Sequence, residues 1–176
     1  MNPARIGRTL EDFEVGQVYQ HPLGRTIMET DNTWFTLLTM NTHQVHFNAD
    51  YAGRTEFGAI LVNSALTIAL VLGQTVSDIS QNAVANLEMT DIKLLRPVFV
   101  GDTLYAETIC TDVRRTRSRP DAGIVKTFTR GVNQRGEVVL SFKRTVMVRT
   151  RASAESVGAF PIVTDGPLQL EDLESE

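Results

Sequence analysis

Residues 60–80 (ILVNSALTIALVLGQTVSDIS) constrain the fold more than any other part of the 176-residue chain. They form its longest apolar periodic stretch. Apolar side chains fall on every side of it, and its length favours a helix buried all round over a strand. Asn63 and Ser64 stand near its start, where a cap or a ligand contact fits. Downstream the period drops to two, and residues 84–90, 91–95, 103–113, 124–133 and 137–148 alternate as strands. Pro97 and Gly101-Asp102 break the run between the second and third of these, and residues 114–123 and 133–136 supply polar hairpin loops. The expected fold class is therefore α+β, a curved antiparallel sheet wrapped around one long buried helix with a single core.

Ahead of that helix, residues 18–26 read as a strand and Thr30 as the N-cap of a helix running to Leu38. Trp34, Leu37 and Leu38 share one face at helical spacing. Residues 41–50 follow as a loop rich in functional groups: Asn41, His43, Gln44, His46, Asn48 and Asp50. His21, beside Pro22, carries no signal. The domain is expected to span residues 1–151. Residues 152–176 hold six acidic side chains and no Lys or Arg, so they carry −6 of the formal −4 and leave +2 on the rest; this tail reads as extended or disordered.

A hydrophobic content of 42% with 22% charged residues is ordinary for a soluble globular protein. The net charge argues against nucleic acid as the main partner. No stretch is apolar for long enough to span a bilayer, and the N-terminus shows no secretory pattern. The single cysteine, Cys110, lies in an alternating stretch and reads as a buried thiol in a reducing compartment. A soluble cytoplasmic protein with no membrane partner is expected.

Histidine changes charge near neutral pH, and a helix N-terminus offers N–H donors to a developing negative charge. His46 lies eighteen residues before Ser64, so the chain carries a possible base ahead of a possible anion cradle. His43 and His46 are spaced three apart as a metal pair can be, but no Cys or third convincing ligand accompanies them, and no metal site is expected. Asp31 suits the first turn of its helix as a carboxylate facing the dipole. The basic run Arg114, Arg115, Arg117 and Arg119 reads as a solvated hairpin tip rather than a phosphate contact. Gly-rich nucleotide loops and a Ser-centred nucleophile elbow are absent from the sequence.

Residues from about 11 to 150 resemble the MaoC-like dehydratases and R-specific enoyl-CoA hydratases, which have a hot-dog fold. The resemblance rests on Met40-Asn41-Thr42-His43-Gln44-Val45-His46, against that family's G-D-x-N-P-x-H loop. It continues in Phe47-Asn48-Ala49-Asp50-Tyr51-Ala52 and in Leu94-Leu95-Arg96-Pro97-Val98-Phe99-Val100-Gly101-Asp102-Thr103-Leu104. It implies that His46 activates water, with Asn41 in place of the family's aspartate as a water-positioning group. Asp31 is the alternative source of the missing carboxylate. Ser64 replaces the glycine at the start of the hot-dog helix, and Asn63, Ser64, Gly58 and Arg54 are the implied substrate-binding residues. The lead-in Thr30-Asp31-Asn32-Thr33-Trp34-Phe35 is similar to the branch acting on mesaconyl-CoA and β-methylmalyl-CoA. Arg25 and Arg54 are candidates for a distal carboxylate.

The implied activity is addition or removal of water across the α,β double bond of an acyl-CoA thioester, without metal or redox cofactor, in a homodimer or larger homo-oligomer. Two other readings use the same fold. A thioesterase needs a carboxylate near the central helix, and residues 60–75 contain none. A non-catalytic acyl-CoA-binding subunit is the reading favoured by the missing loop aspartate.

Overall fold

The computed structural model describes residues 7–157 and 160–170. Its helices are α1 (Glu29–Leu38), α2 (Ala49–Gly53), α3 (Ser64–Gln74) and α4 (Arg151–Val157), and its strands are β1 (Val18–Gln20), β2 (Arg25–Thr26), β3 (Ala83–Leu94), β4 (Thr103–Arg115), β5 (Ala122–Asn133) and β6 (Val138–Arg149). All pairings are antiparallel, in the order β1-β4-β5-β6-β3, with β2 also on β4. The sheet curves around α3, as the α+β pattern implied.

Several sequence expectations shift in detail. The expected strand over 18–26 is broken after Gln20 because Pro22 cannot donate to a ladder, and it resumes only at Arg25. The two short strands expected between 84 and 95 are one strand, β3, with ladder irregularities and a positive φ of 51° at Asp91. The expected helix over 60–80 starts at Ser64 and runs to Gln74. It continues as a π-helical turn over Val76–Ser80. It is not buried all round: Leu66, Thr67 and Val71 are buried against the sheet, whereas Ser64, Ala65, Ala69 and Gly73 are exposed. A sheet can cover only one side of a helix, and these positions on the other side stay exposed among the described residues. The acidic tail begins with α4, a short helix rather than an extended stretch.

The helix α1 turns the face shared by Trp34, Leu37 and Leu38 to the outside. It starts at Glu29, one residue ahead of the expected cap at Thr30, and its apolar face points outward: Trp34, Leu37 and Leu38 are 65%, 59% and 76% exposed. Asn32 and Thr36 are fully buried on its inner face.

The core has two apolar clusters. One gathers Ile27, Leu66, Val71, Leu104, Leu140 and Phe142 under α3. The other joins Leu10, Phe13, Tyr19, Ile79, Val125 and Val146 beneath the π-helical turn. The α3 helix approaches β5 closely at Gly131, where a Cβ would lie 2.6 Å from Val71 Cγ2. Cys110 lies in the second cluster, where burial pushes its thiol up and keeps it protonated.

A buried polar layer also lines the sheet. His21 is closed in, with Nδ1 2.9 Å from Asp78 Oδ2 and Nε2 2.9 Å from Thr108 Oγ1, and Thr108 bonds onward to Thr129 Oγ1 at 2.8 Å. Burial raises the Asp78 pKa, but bonds from His21 and Arg8 outweigh it and hold the carboxyl below its ordinary value. Arg144, 4% exposed, reaches only Thr75 Oγ1, at 3.3 Å, and its Nε and Nη2 have no partner among the described residues. Burial pulls its pKa down to about 10, so it stays charged at neutral pH without a carboxylate bonded to it. Replacing such a cation by an apolar side chain of similar length removes its desolvation cost. Arg144→Met is expected to stabilise the protein by about 1–3 kcal/mol, read as a higher denaturation midpoint in urea. A lower midpoint would mean that the guanidinium is well solvated inside the fold.

Candidate active site at the start of the central helix

Residues 41–53 are not a plain loop. A 3-10 turn over Gln44–His46 and the short α2 fold it back, and both are capped locally. The Asn41 carbonyl oxygen Oδ1 accepts the His43 N–H at 3.0 Å, and Asn48 Oδ1 accepts the Tyr51 N–H at 3.0 Å. This folding turns Val45 and His46 inward while His43 stays exposed.

His46 is 9% exposed, and its Nδ1 lies 2.9 Å from the carbonyl oxygen of Leu61. A carbonyl can only accept, so Nδ1 carries the proton and Nε2 keeps its lone pair. The Leu61 N–H donates to Val45 O at 3.1 Å, which makes a two-bond latch between the histidine turn and the segment leading into α3.

That segment is held from its other side by the stretch the sequence singled out around Pro97 and Gly101-Asp102. The Val62 N–H donates to Val98 O at 2.8 Å, and Leu61 bridges Phe99. Asp102 clamps the turn by accepting from Phe99 N at 3.0 Å, Gln134 Nε2 at 2.8 Å and Arg135 Nη1 at 3.0 Å. Burial raises its pKa, yet these donors outweigh burial and leave the carboxyl below its ordinary value, which marks Asp102 as a structural anion.

Asn63 caps α3, with its side-chain oxygen accepting from Ala65 N at 3.0 Å. Ser64, the first residue of α3, lines a cavity of about 270 Å³ with Phe57, Leu61, Thr67, Arg96 and Val98. A second cavity of about 360 Å³ takes Gly58, Ala59 and Ile60 from the same segment, together with Glu29 and Phe99. The residues on which sequence reasoning relied thus divide. Asn63 and Ser64 lie at the start of α3, His46 is bonded to Leu61 in the segment that leads into it, and Gly58 lines the neighbouring cavity. Asn41 shapes the turn.

Asp31 is engaged elsewhere. Its carboxylate accepts from the Met28 N–H at 2.9 Å and pairs with both lone-pair faces toward Arg25 Nη2, at 2.9 and 2.8 Å. Arg54 pairs with Asp50 at 2.5 Å, so both arginines considered for a distal carboxylate already hold acids of the chain. The cationic residue among those that line the cavity is Arg96, whose Nη1 donates to the Val138 carbonyl at 2.6 Å. Sequence reasoning gave it no role of its own, because it stands between the stretch read as a strand, residues 91–95, and the break at Pro97. Asn32 was missed too: its Nδ2 donates to His46 O at 2.8 Å and to Leu61 O at 3.2 Å, while its Oδ1 accepts the Asn63 N–H at 2.8 Å. His43 and His46 have ring centroids 5.8 Å apart, and no cluster of three or more metal-ligating side chains forms among the described residues.

A curved antiparallel sheet around one helix, with a histidine turn latched to that helix's start, defines a hot-dog domain. A Mycobacterium tuberculosis protein described as a double hotdog fold superposes with a TM-score of 0.75 at 21% identity, over 92% of this chain and 48% of that one. The mesaconyl-CoA hydratase family model matches residues 2–170, and the chain belongs to that family. Mesaconyl-CoA hydratase of Cereibacter sphaeroides is 38% identical over 148 residues, which cover 84% of this chain and 43% of that protein. The chain thus spans less than half the length of this relative. The (R)-specific enoyl-CoA hydratase of Rhodospirillum rubrum is 32% identical over 144 residues, covering 80% of this chain and 92% of that one.

Opening the latch should show at once. Leu61→Pro would remove the N–H that Val45 O accepts. It is expected to lower the thermal midpoint and to broaden the His46 ring resonances in NMR, whereas an unchanged His46 environment would show that the turn holds without the latch.

Proposed function

We propose that the chain is a hydratase that adds water reversibly across the α,β double bond of an acyl-CoA thioester. The observation that carries this reading is the His46 Nδ1–H···O=C bond to Leu61, in the segment leading into α3, which leaves Nε2 free to act as a base. In the hydration direction, His46 Nε2 takes a proton from water while the oxygen bonds to the β-carbon. The double-bond electrons move toward the thioester oxygen, which becomes enolate-like and meets the N–H groups at the start of α3. Collapse of the enolate takes a proton at the α-carbon, returned from the His46 imidazolium, and dehydration reverses each step. Asn41, whose Oδ1 is bound to His43 N, has its Nδ2 group to hold the water; it orients but does not deprotonate. No metal or redox cofactor enters these steps.

The acyl group in this reading is a short branched dicarboxylate of the mesaconyl type, and family membership supports it. Arg96 is the cation of the cavity that Ser64 lines, and we assign it to the substrate's distal carboxylate. A thioesterase is disfavoured because α3 carries no carboxylate.

A homodimer completes the reading. The outer edge strand β3 pairs with β6 alone and exposes Leu87, Ile92 and Leu94, and α1 exposes Trp34, Leu37 and Leu38. A second copy would cover surface that longer relatives fill within one chain. A cytoplasmic location fits the buried Cys110 and a CoA substrate. No helix among the described residues is long and apolar enough to cross a membrane.

Purified protein mixed with mesaconyl-CoA is expected to bleach the enoyl-thioester absorbance, and more slowly with crotonyl-CoA. His46→Ala should lower kcat by at least about 100-fold; a full rate in that variant would end the assignment of His46 as the base. Arg96→Met is expected to raise KM for mesaconyl-CoA about tenfold or more and to leave crotonyl-CoA nearly unchanged, since a charge-assisted bond contributes roughly 1.5–3 kcal/mol. Light scattering on a sizing column should give a particle of two 19.5 kDa chains, and Ile92→Lys on the edge strand should shift it toward one.

A further inference from the structure

An asparagine inside a helix is a poor helix former, and a fully buried amide is tolerated only when its donors and acceptor are satisfied. Asn32 meets that condition in a particular way. It is 0% exposed, and its recorded partners are all backbone groups of the site segments rather than of its own helix. The same orientation that leaves Trp34, Leu37 and Leu38 outside puts Asn32 and Thr36 inside, one turn apart on α1. Thr36 Oγ1 accepts from Asn63 Nδ2 at 3.3 Å, so the inner face of α1 holds the cap of α3 at two points.

The Leu61 carbonyl receives two donors, Asn32 Nδ2 at 3.2 Å and His46 Nδ1 at 2.9 Å. A carbonyl oxygen has two lone pairs, so Asn32 occupies one and leaves the other facing the imidazole. The same Nδ2 group holds the carbonyl of His46 itself, and Oδ1 holds the Asn63 N–H just before α3. One side chain therefore sets the direction of the acceptor that fixes the imidazole tautomer, and the separation between the base and the helix start.

We propose that Asn32 is a positioning residue for the hydration reaction: it orients the Leu61 carbonyl so that His46 is held as the Nδ1–H tautomer, with Nε2 aimed at the water, in register with the α3 N-terminus. This rests on the hydratase reading for its consequence in rate, but its effect on the tautomer stands apart from any activity. Misplacing a reacting group by about 1 Å costs on the order of 100-fold in rate. Such a cost falls on kcat, because Asn32 lies behind the site and touches backbone only.

The test uses 15N-labelled full-length protein, with the two ring nitrogens of His46 read by long-range proton–nitrogen NMR alongside kcat and KM for mesaconyl-CoA. Wild type is expected to show protonated Nδ1. Asn32→Ala is expected to mix the tautomers and to lower kcat roughly 10- to 100-fold, with KM moving less than about threefold. Asn32→Asp keeps the size and the acceptor for Asn63 N–H but, when ionised, cannot donate. It should show the same loss at pH 8 even if the alanine variant folds poorly. Thr36→Val, equally buried but losing a hydroxyl that accepts from the cap side chain of Asn63 and not from the histidine turn, should lose stability without changing the tautomer. Protonated Nδ1 and a wild-type kcat in both Asn32 variants would overturn the proposal. If instead His46→Ala keeps full activity, the base assignment fails, and the NMR comparison still decides whether Asn32 governs the tautomer.

Discussion

The arrangement depends first on how closely α3 lies against the sheet. Gly131 allows it: any side chain there would collide with Val71, and the helix would have to lift away. Once seated, α3 buries Leu66 and Val71 in the main apolar cluster and presents its first turn at the rim of the sheet. The cavity beside Ser64, the latch through Leu61 and the cap by Asn63 all take their positions from that contact. The helix is held at its other end by a different means. There the π-helical turn buries Ile79 in the second apolar cluster and brings Asp78 to the buried His21.

The site is assembled almost wholly from backbone groups, with side chains in the role of clamps. His46 is the one titratable group of the site that is buried and has a ring nitrogen bonded to a main-chain carbonyl. Around it, Asn32, Asn41, Asn63 and Asp102 all bind main-chain N–H or C=O groups. A scaffold of this kind places a base and a helix terminus near each other without putting a second charge between them.

The outward apolar face of α1 and the bare edge of β3 belong to the same description. An isolated domain of this size leaves apolar area that its own elements cannot reach. The chain covers 43% of its Cereibacter sphaeroides relative, and 48% of a structural neighbour described as a double hotdog fold. The exposed side of α3, with Ala65, Ala69 and Gly73, has small side chains suited to close approach by another surface.

Much of this was legible in the order of residues. The change from a long apolar stretch to period-two strands specified an α+β domain because the two periodicities cannot be satisfied by one kind of element. His46, Asn63 and Ser64 were recognisable from residue type and from their spacing about the helix start. What the order of residues could not decide was which face of α1 turns inward. Helical spacing puts Trp34, Leu37 and Leu38 on one face without saying which way it turns; the inner face matches the polar backbone of the histidine turn and the cap of α3 through Asn32 and Thr36. Arg25, Arg54 and Arg96 are likewise equal as positive charges on paper; only the fold gives Asp31 and Asp50 to the first two and the cavity to the third. Local sequence determined the elements because their periods are local properties. Tertiary structure decided their partners, because a buried polar group takes its meaning from the atoms brought to it across the chain.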